Sequence, residues 1–505
     1  MLRLTDNHQL SRYDELRNAC PLLRPTFLEA VGRDGAMVSL SEGVRRRKYG
    51  SSMGDKAFSF VDLFAGIGGF HAAMAALGGE CVYAVENDPV AAGVYEANWG
   101  VNPLGDITHD ATDQVMKVPP HDVLCAGFPC QPFSKSGAQR GMDETRGTLY
   151  WNILRIVQAH HPTVLVLENV RNLAGPRHVH EWDVIVETLR DEGYRVSDTP
   201  AVFSPHLLPP DLGGTPQVRE RVFITATYVE KGLKHSELEA DPAVLNRPIN
   251  GWDPKLWHLE SDLPLDPDQE VDGCSLSANE VLWIDAWDDF VTGMWEERHG
   301  RRLPGFPLWA DEWRMPSELN RLLSKATQRG DSPPLWKIDF LRKNSEFYAT
   351  HKQYIDDWAS RWGVYSEAFP ASRRKLEWQA QDTPRLWDCV MHFRPSGIRA
   401  KAPTYLPALV AITQTSIIGP RRRRLSPREA ARLQGLPEWF TFGDQKNAAT
   451  YKQLGNGVSV GAVSYVLGEH VKRDEEILKK TSPHLALALL DNSSTVARAD
   501  SHTDH

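Results

Sequence analysis

In GFPCQPFS, residues 127–134, a single cysteine stands between two prolines directly after the apolar run DVLCAG. A proline fixes its own φ and pushes the residue before it toward extended backbone, so Phe128 and Gln131 cannot be helical and Cys130 sits on a stiff loop. Such a loop suits either a reactive thiol or a packed cysteine, and for Cys130 the rest of the chain decides, whereas Cys125, inside the apolar run, reads as an ordinary packed cysteine. Two other groups could join a thiol in chemistry. TVLVLENV (163–170) carries Glu168 to the end of an apolar strand, and QVRER (217–221) sets Gln217, Arg219 and Arg221 at period two on one face of an extended segment. Each also has a plain structural explanation, a strand-end carboxylate in the first case and a solvated strand edge in the second.

These residues lie far apart in the chain, so larger elements must bring them together. From 58 to about 228 short apolar runs (FSFVDLF, ECVYAVE, DVLCAG, TVLVLEN, RVFITATY) alternate with helical stretches, the pattern of βαβ units and a parallel sheet. In such sheets ligands bind at the carboxyl ends of the strands, where Cys130 and Glu168 would both emerge. FVDLFAGIGGF (60–70) is a strand, a glycine-rich turn and a helix start; Gly66, Gly68 and Gly69 would let a ligand approach the backbone, although the turn departs from GxGxxG. Glu86 ends the second strand, where an acid can accept hydrogen bonds from ribose hydroxyls, and Asp106 in GDIT occupies a third such point. Together they point to an adenosine-containing cofactor.

Between about 229 and 400 the alternation stops, yet twelve of the sixteen tryptophans fall there, from Trp252 to Trp387. Aromatics at that density imply a second packed core and not a disordered linker. RRRRLSPREAARLQGLPEWF then restores regular structure, with a helix expected over Pro427 to Gln434 and a stop at Gly435. QLGNGVSV (453–460) is a glycine turn carrying Asn456. Residues 1–56 read as a modest helical extension and linker, and the end of the chain after about 480 as a frayed tail.

Composition narrows the class. No stretch approaches the length of a membrane span, and MLRLTDNHQL lacks the apolar core of a signal peptide, so a cytoplasmic protein is expected. The six cysteines have no CxxC spacing, which argues against zinc and against a disulfide framework. The net charge of −9 does not advertise a nucleic-acid binder, but phosphate contact depends on where the cations lie. Three basic clusters stand out, Arg45 to Lys48, Arg373 to Lys375 and Arg421 to Arg424, and each taken alone is an ordinary surface patch.

In order and wording the motifs DLFAGIGG, GFPCQPFS, ENV, QxRxR, RxLxPREAARLQGxP and QxGNxV resemble the DNA cytosine-5 methyltransferases of bacterial restriction–modification type. The match covers roughly 57–228 and 421–470, with a variable region between them where that family places target recognition. The resemblance implies a doubly wound, Rossmann-like S-adenosylmethionine-dependent α/β domain with a smaller target-recognition domain. It divides the chain into an N-terminal extension (1–56), a first catalytic segment (57–232), a target-recognition domain (233–445), a returning catalytic segment (446–480) and a flexible tail (481–505). It assigns Cys130 as the nucleophile that adds to cytosine C6, Glu168 to N3, and Arg219 and Arg221 to the base's O2. The cofactor site it implies has Phe64 against the adenine, Glu86 on the ribose, Asp106 on the adenine amino group and Asn456 closing the pocket, with Gly66, Gly68, Gly69, Asn87, Ile107 and Val458 completing it. On the DNA side it assigns Gln131, Ser134 and Ser136 as loop residues facing DNA, and a mobile loop, 134–147, that closes over a flipped-out base.

The implied partner is double-stranded DNA, with no membrane and no metal, a monomer expected, and functional pairing with a restriction endonuclease. Three rivals are weighed against this. An RNA cytosine-5 methyltransferase would share the thiol and the cofactor pocket, but the long tryptophan-rich region suits a DNA groove. A non-catalytic relative should have lost Cys130 or Glu168, and both are present. A small-molecule methyltransferase has no need of the cysteine loop.

Overall fold

In the computed structural model of the chain, residues 57–129, 148–380, 382–410 and 415–496 are described. The expected extension 1–56 lies outside them, as does 497–505 of the expected tail.

The first body alternates strand and helix: β1 (Phe58–Leu63), α1 (Gly69–Ala76), β2 (Gly79–Val85), α2 (Pro89–Trp99), β3 (Val123–Gly127), α3 (Leu149–His160), β4 (Val164–Val170), α4 (Val179–Asp191), β5 (Tyr194–Ser197), β6 (Ala201–Phe203), β7 (Gln217–Val218), β8 (Arg221–Tyr228) and β9 (Glu239–Ala240). Eight of these strands form one sheet in the order β2-β1-β3-β4-β8-β5-β9, with β6 on β8. In β3, Leu124 and Ala126 join α3 and α4 in a core on one face, while Val123 and Cys125 join α1 in a core on the other. A strand covered on both faces needs an unbroken apolar run, which is what the sequence shows. The fold is therefore doubly wound α/β.

β2 and β3 flank β1 on opposite sides, both parallel to it. The winding reverses there, which opens a crevice between the carboxyl ends of β1 and β3. One expectation is corrected: RVFITATY, read as another strand of a parallel sheet, is β8 and runs antiparallel to β4 and β5. An apolar run shows that a strand is buried but says nothing of its direction, which the connection decides.

The tryptophan-rich region forms the second core. α5 (Ala278–Glu297), β10 (Leu308–Trp309), α6 (Pro316–Gln328), α7 (Leu335–Thr350) and α8 (Lys352–Arg361) precede β11 (Lys375–Gln379), β12 (Val390–Arg394), β13 (Gly397–Lys401), β14 (Leu406–Pro407), β15 (Ile417–Ile418) and β16 (Arg423–Arg424). Apart from β14, these strands make a sheet in the order β10-β11-β13-β12-β15-β16. Trp287, Trp313, Trp358 and Trp387 lie in the core beneath it. Of the three basic runs, Arg45 to Lys48 lies outside the described residues and the other two have structural partners. Arg421 pairs with Glu260, Arg422 with Asp285, Arg423 with Asp268 and Glu429, and Arg424 with Glu280, while Arg374 pairs with Asp311.

The chain returns to the first body through α9 (Pro427–Leu433), α10 (Asn447–Asn456) and α11 (Val460–Arg473). Ser426 caps α9 in a reciprocal box with Glu429. Ala430 and Leu433 share a core with Ile67, Ala72 and Val94 of the first body and with Val390, Leu406 and Ile418 of the second. Thr227 Oγ1 of β8 donates to Asp474 Oδ2 at 2.7 Å and Arg195 of β5 pairs with the same carboxylate, fastening the end of α11 to the sheet. α12 (Glu475–Thr481) closes the returning segment, and α13 (Pro483–Val496) lies in the stretch expected as a tail. Leu485 and Leu489 of α13 are buried against the first sheet's core, because the spacing of apolar residues in HLALALL gives that helix an inward face.

Candidate functional site

The crevice at the end of β1 is built by backbone. Phe64 and Gly66 take left-handed conformations (φ 56° and 55°), and Gly68 has φ 92°. The Gly66 N–H donates to Glu86 Oε2 and the Asp88 N–H to Glu86 Oε1, both at 2.8 Å. Glu86 in turn exchanges backbone bonds with Pro103 and Gly105, which brings Asp106 alongside. Asp106 is exposed and caps the turn Ile107–Asp110, and its bonds from the Thr108 hydroxyl and N–H hold the carboxyl below the usual range. Ile107 is buried beneath it, and Asn87 is exposed.

The three glycines do different jobs. A Cβ on Gly66 would meet nothing within 4 Å, so this position faces open space. On Gly68 a Cβ would lie 2.1 Å from Trp99 Nε1, and on Gly69 it would lie 3.0 Å from the Val458 carbonyl. At Gly66 the missing side chain leaves open space, at Gly68 it admits Trp99 and at Gly69 it admits the returning segment. Asn456 is exposed at the end of α10, two residues before Val458, and Lys452 of α10 reaches Asp88 at 3.3 Å.

On the other side of the crevice, Gly127 of β3 lies in register with Glu168 of β4, so the chain leaves β3 toward Phe128 and Pro129 level with that carboxyl. Cys130, Gln131, Ser134, Ser136 and the expected loop 134–147 lie outside the described residues. Glu168 is buried, and Arg221 Nε lies 2.9 Å from its Oε1. Burial raises the Glu168 carboxyl above its ordinary value, against the opposing pull of Arg221 and Arg219.

Arg219 and Arg221 have different partners. Arg219 is 2% exposed and gives its terminal nitrogens to the carbonyls of Leu409, Gly455 and Gly457. It therefore braces the two glycines that flank Asn456, and its guanidinium is not presented at Glu168 as Arg221's is. Burial lowers its pKa to about 9. The two arginines part because the strand breaks between β7 and β8.

Two residues escaped the sequence reading. Asn169 Nδ2 donates to the Phe128 carbonyl at 2.9 Å, tying β4 to the loop entrance; its place beside Glu168 in ENV was the available signal. Asp62 is fully buried in β1, its Oδ1 without a hydrogen-bond partner, and burial pushes its carboxyl well above the usual range. An acid inside FSFVDLF was visible as an anomaly. Among the described residues no helix is long and apolar enough to cross a membrane, and no group of His, Cys, Asp and Glu could hold a metal ion.

The sequence profile of the C-5 cytosine-specific DNA methylase family matches residues 58–472. The Type II methyltransferase M.AluI of Cellulosimicrobium cellulans is 54% identical over 495 residues, covering 85% of this chain and 95% of that protein. The Type II methyltransferase M.HhaI of Haemophilus parahaemolyticus is 44% identical over 412 residues, covering 81% of this chain and 92% of that protein.

Proposed function

Since this chain belongs to the C-5 cytosine-specific DNA methylase family, and is a DNA (cytosine-5-)-methyltransferase, we propose that it methylates a flipped-out cytosine from S-adenosylmethionine through a covalent Cys130–C6 adduct, as the modification enzyme of a restriction–modification system. The observation that carries the covalent reading is the buried Glu168–Arg221 pair, level with the strand end that leads into the Cys130 loop. The Type II names of both relatives support the restriction–modification role.

The residues around Gly66 fit S-adenosylmethionine. The open face of Gly66, the two oxygens of Glu86, which can each accept a second hydrogen bond, and the exposed carboxyl of Asp106 offer the acceptors that ribose and an adenine amino group need. Phe64 would lie against the adenine, with Asn87 and Ile107 beside it and Asn456 and Val458 closing the site. When bound, S-adenosylmethionine supplies an electrophilic sulfonium methyl group. Cys130 adds to C6 and so makes C5 nucleophilic. Glu168 stabilises the charge that this attack pushes onto N3, by hydrogen bonding or by donating a proton there. Arg221 holds Glu168 in place and offers its remaining donors to the base's O2. Loss of the C5 proton then allows the thiolate to leave.

Bisulfite sequencing of DNA from cells expressing the protein tests the reading as a whole. One short sequence motif should carry 5-methylcytosine at a fixed position. Unmethylated DNA from cells making soluble protein would overturn it.

The brace at Gly455 and Gly457 assigns Arg219 a positioning role. A lysine cannot span three carbonyls. Arg219→Lys should therefore raise KM for S-adenosylmethionine about tenfold, the scale of one or two lost hydrogen bonds, with a smaller change in kcat. A fall in kcat at unchanged KM would return Arg219 to the base.

A further inference from the structure

In the run Arg421 to Arg424 every guanidinium is paired with a carboxylate. One face of the second sheet breaks that habit. In the β12–β13 pair, Met391, Phe393, Ile398 and Ala400 point toward the tryptophan core, while the cross-strand partners His392 and Arg399, together with Arg394 and Lys401, share the opposite face. Val390 anchors one end of that face in a core with Leu406 and Leu409. Beyond it the face is cationic.

Among the described residues its single carboxylate neighbour across the sheet is Glu377 of β11, which binds Arg399 Nε at 2.6 Å. Among the described residues nothing pairs with the Arg394 guanidinium or with the terminal nitrogens of Arg399, and Lys401 has only the Tyr405 ring, 5.9 Å away. The positive charges bear on one another: Arg394, Lys401 and Arg399 add to burial in pushing His392 down to about 3. The face also leads to the reacting groups. Past Lys401 the chain runs through Tyr405, whose ring lies 5.5 Å from that of His206, into β14, which pairs with β7 just before Arg219 and Arg221.

A half-buried cluster of like charges without counter-ions is costly unless a polyanion completes it. We infer that the β12–β13 face is the surface that grips and reads the DNA: Arg394 and Lys401 meet phosphates, and Arg399, oriented by Glu377, presents its two terminal nitrogens to O6 and N7 of a guanine in the recognised sequence. The inference rests on the chain's being a DNA methyltransferase.

The test measures binding of the full-length protein to two duplexes across a salt series, one carrying the motif mapped by bisulfite sequencing and one scrambled. Arg394→Gln with Lys401→Gln should weaken both duplexes tenfold or more and reduce the slope of log K against log salt by about 1.8, or roughly 0.9 per lost phosphate contact. Arg399→Lys keeps the charge but loses the fork, so it should weaken the mapped duplex by about tenfold to a hundredfold and leave the scrambled one unchanged. Melting curves check that the variants fold. Wild-type affinity and slope in the double variant would overturn the surface, and an equal effect of Arg399→Lys on both duplexes would overturn the guanine contact. If the wild-type protein methylates no DNA, the enzymatic reading fails instead, and the scrambled-duplex arm still decides whether this face binds DNA.

Discussion

Duplex DNA with 5-fluorocytosine at the target position should become irreversibly attached to the wild-type protein when S-adenosylmethionine is present, and the Cys130→Ser protein should give no such product. The reason is the order of bonds. Once C5 carries the methyl group, the Cys130–C6 bond can break only if C5 loses its proton, and fluorine cannot leave as a cation. Without the methyl donor the addition reverses, so attachment should require it. A thiol with a pKa of about 8.5 supplies a few per cent thiolate near neutral pH, whereas a serine hydroxyl supplies almost none. Cys125 provides the control. It is fully buried in β3, and burial together with the nearby Asp62 holds its thiol well above the ordinary range. Cys125→Ser should still attach DNA. On a denaturing gel with labelled duplex, a shifted band from Cys130→Ser, or none from wild type, would remove the nucleophile from this account.

Glu168→Gln should bind S-adenosylmethionine normally and turn over about a hundredfold more slowly, or worse, the usual scale for an acid–base group. The amide can donate a hydrogen bond to N3 but cannot deliver a proton. A pH profile separates the two roles. Burial raises the Glu168 carboxyl, so more of it stays protonated toward neutrality than an ordinary glutamate would, while Arg221 and Arg219 oppose that shift. Turnover should rise with pH as the Cys130 thiolate forms and fall again as Glu168 loses its proton. In Glu168→Gln the falling limb should disappear and the rising limb remain. A normal rate in this variant would mean that Glu168 does not act at N3.

The sequence by itself determined where the strands lie and which groups sit at their ends. β1, β3 and β4 are buried on both faces and so need unbroken apolar runs, and the residue that follows such a run must emerge at the crevice. The helix at Pro427 was legible for a similarly local reason, since Ser426, Pro427 and Glu429 form its cap within four residues. Tertiary structure alone decided whatever depends on a partner distant in the chain. The antiparallel course of β8 follows from its connection and not from its composition. Gly68 and Gly69 announce only that a side chain is unwelcome; that Trp99 fills one place and Val458 the other needs the packed fold. Arg421 to Arg424 look like a surface patch until Glu260, Asp268, Asp285 and Glu280 are brought against them. Arg219 and Arg221 are the same residue type two positions apart. A break in the strand between them sends one guanidinium to the carbonyls of Gly455 and Gly457 and leaves the other on Glu168, because side-chain direction depends on backbone course, which spacing alone cannot give.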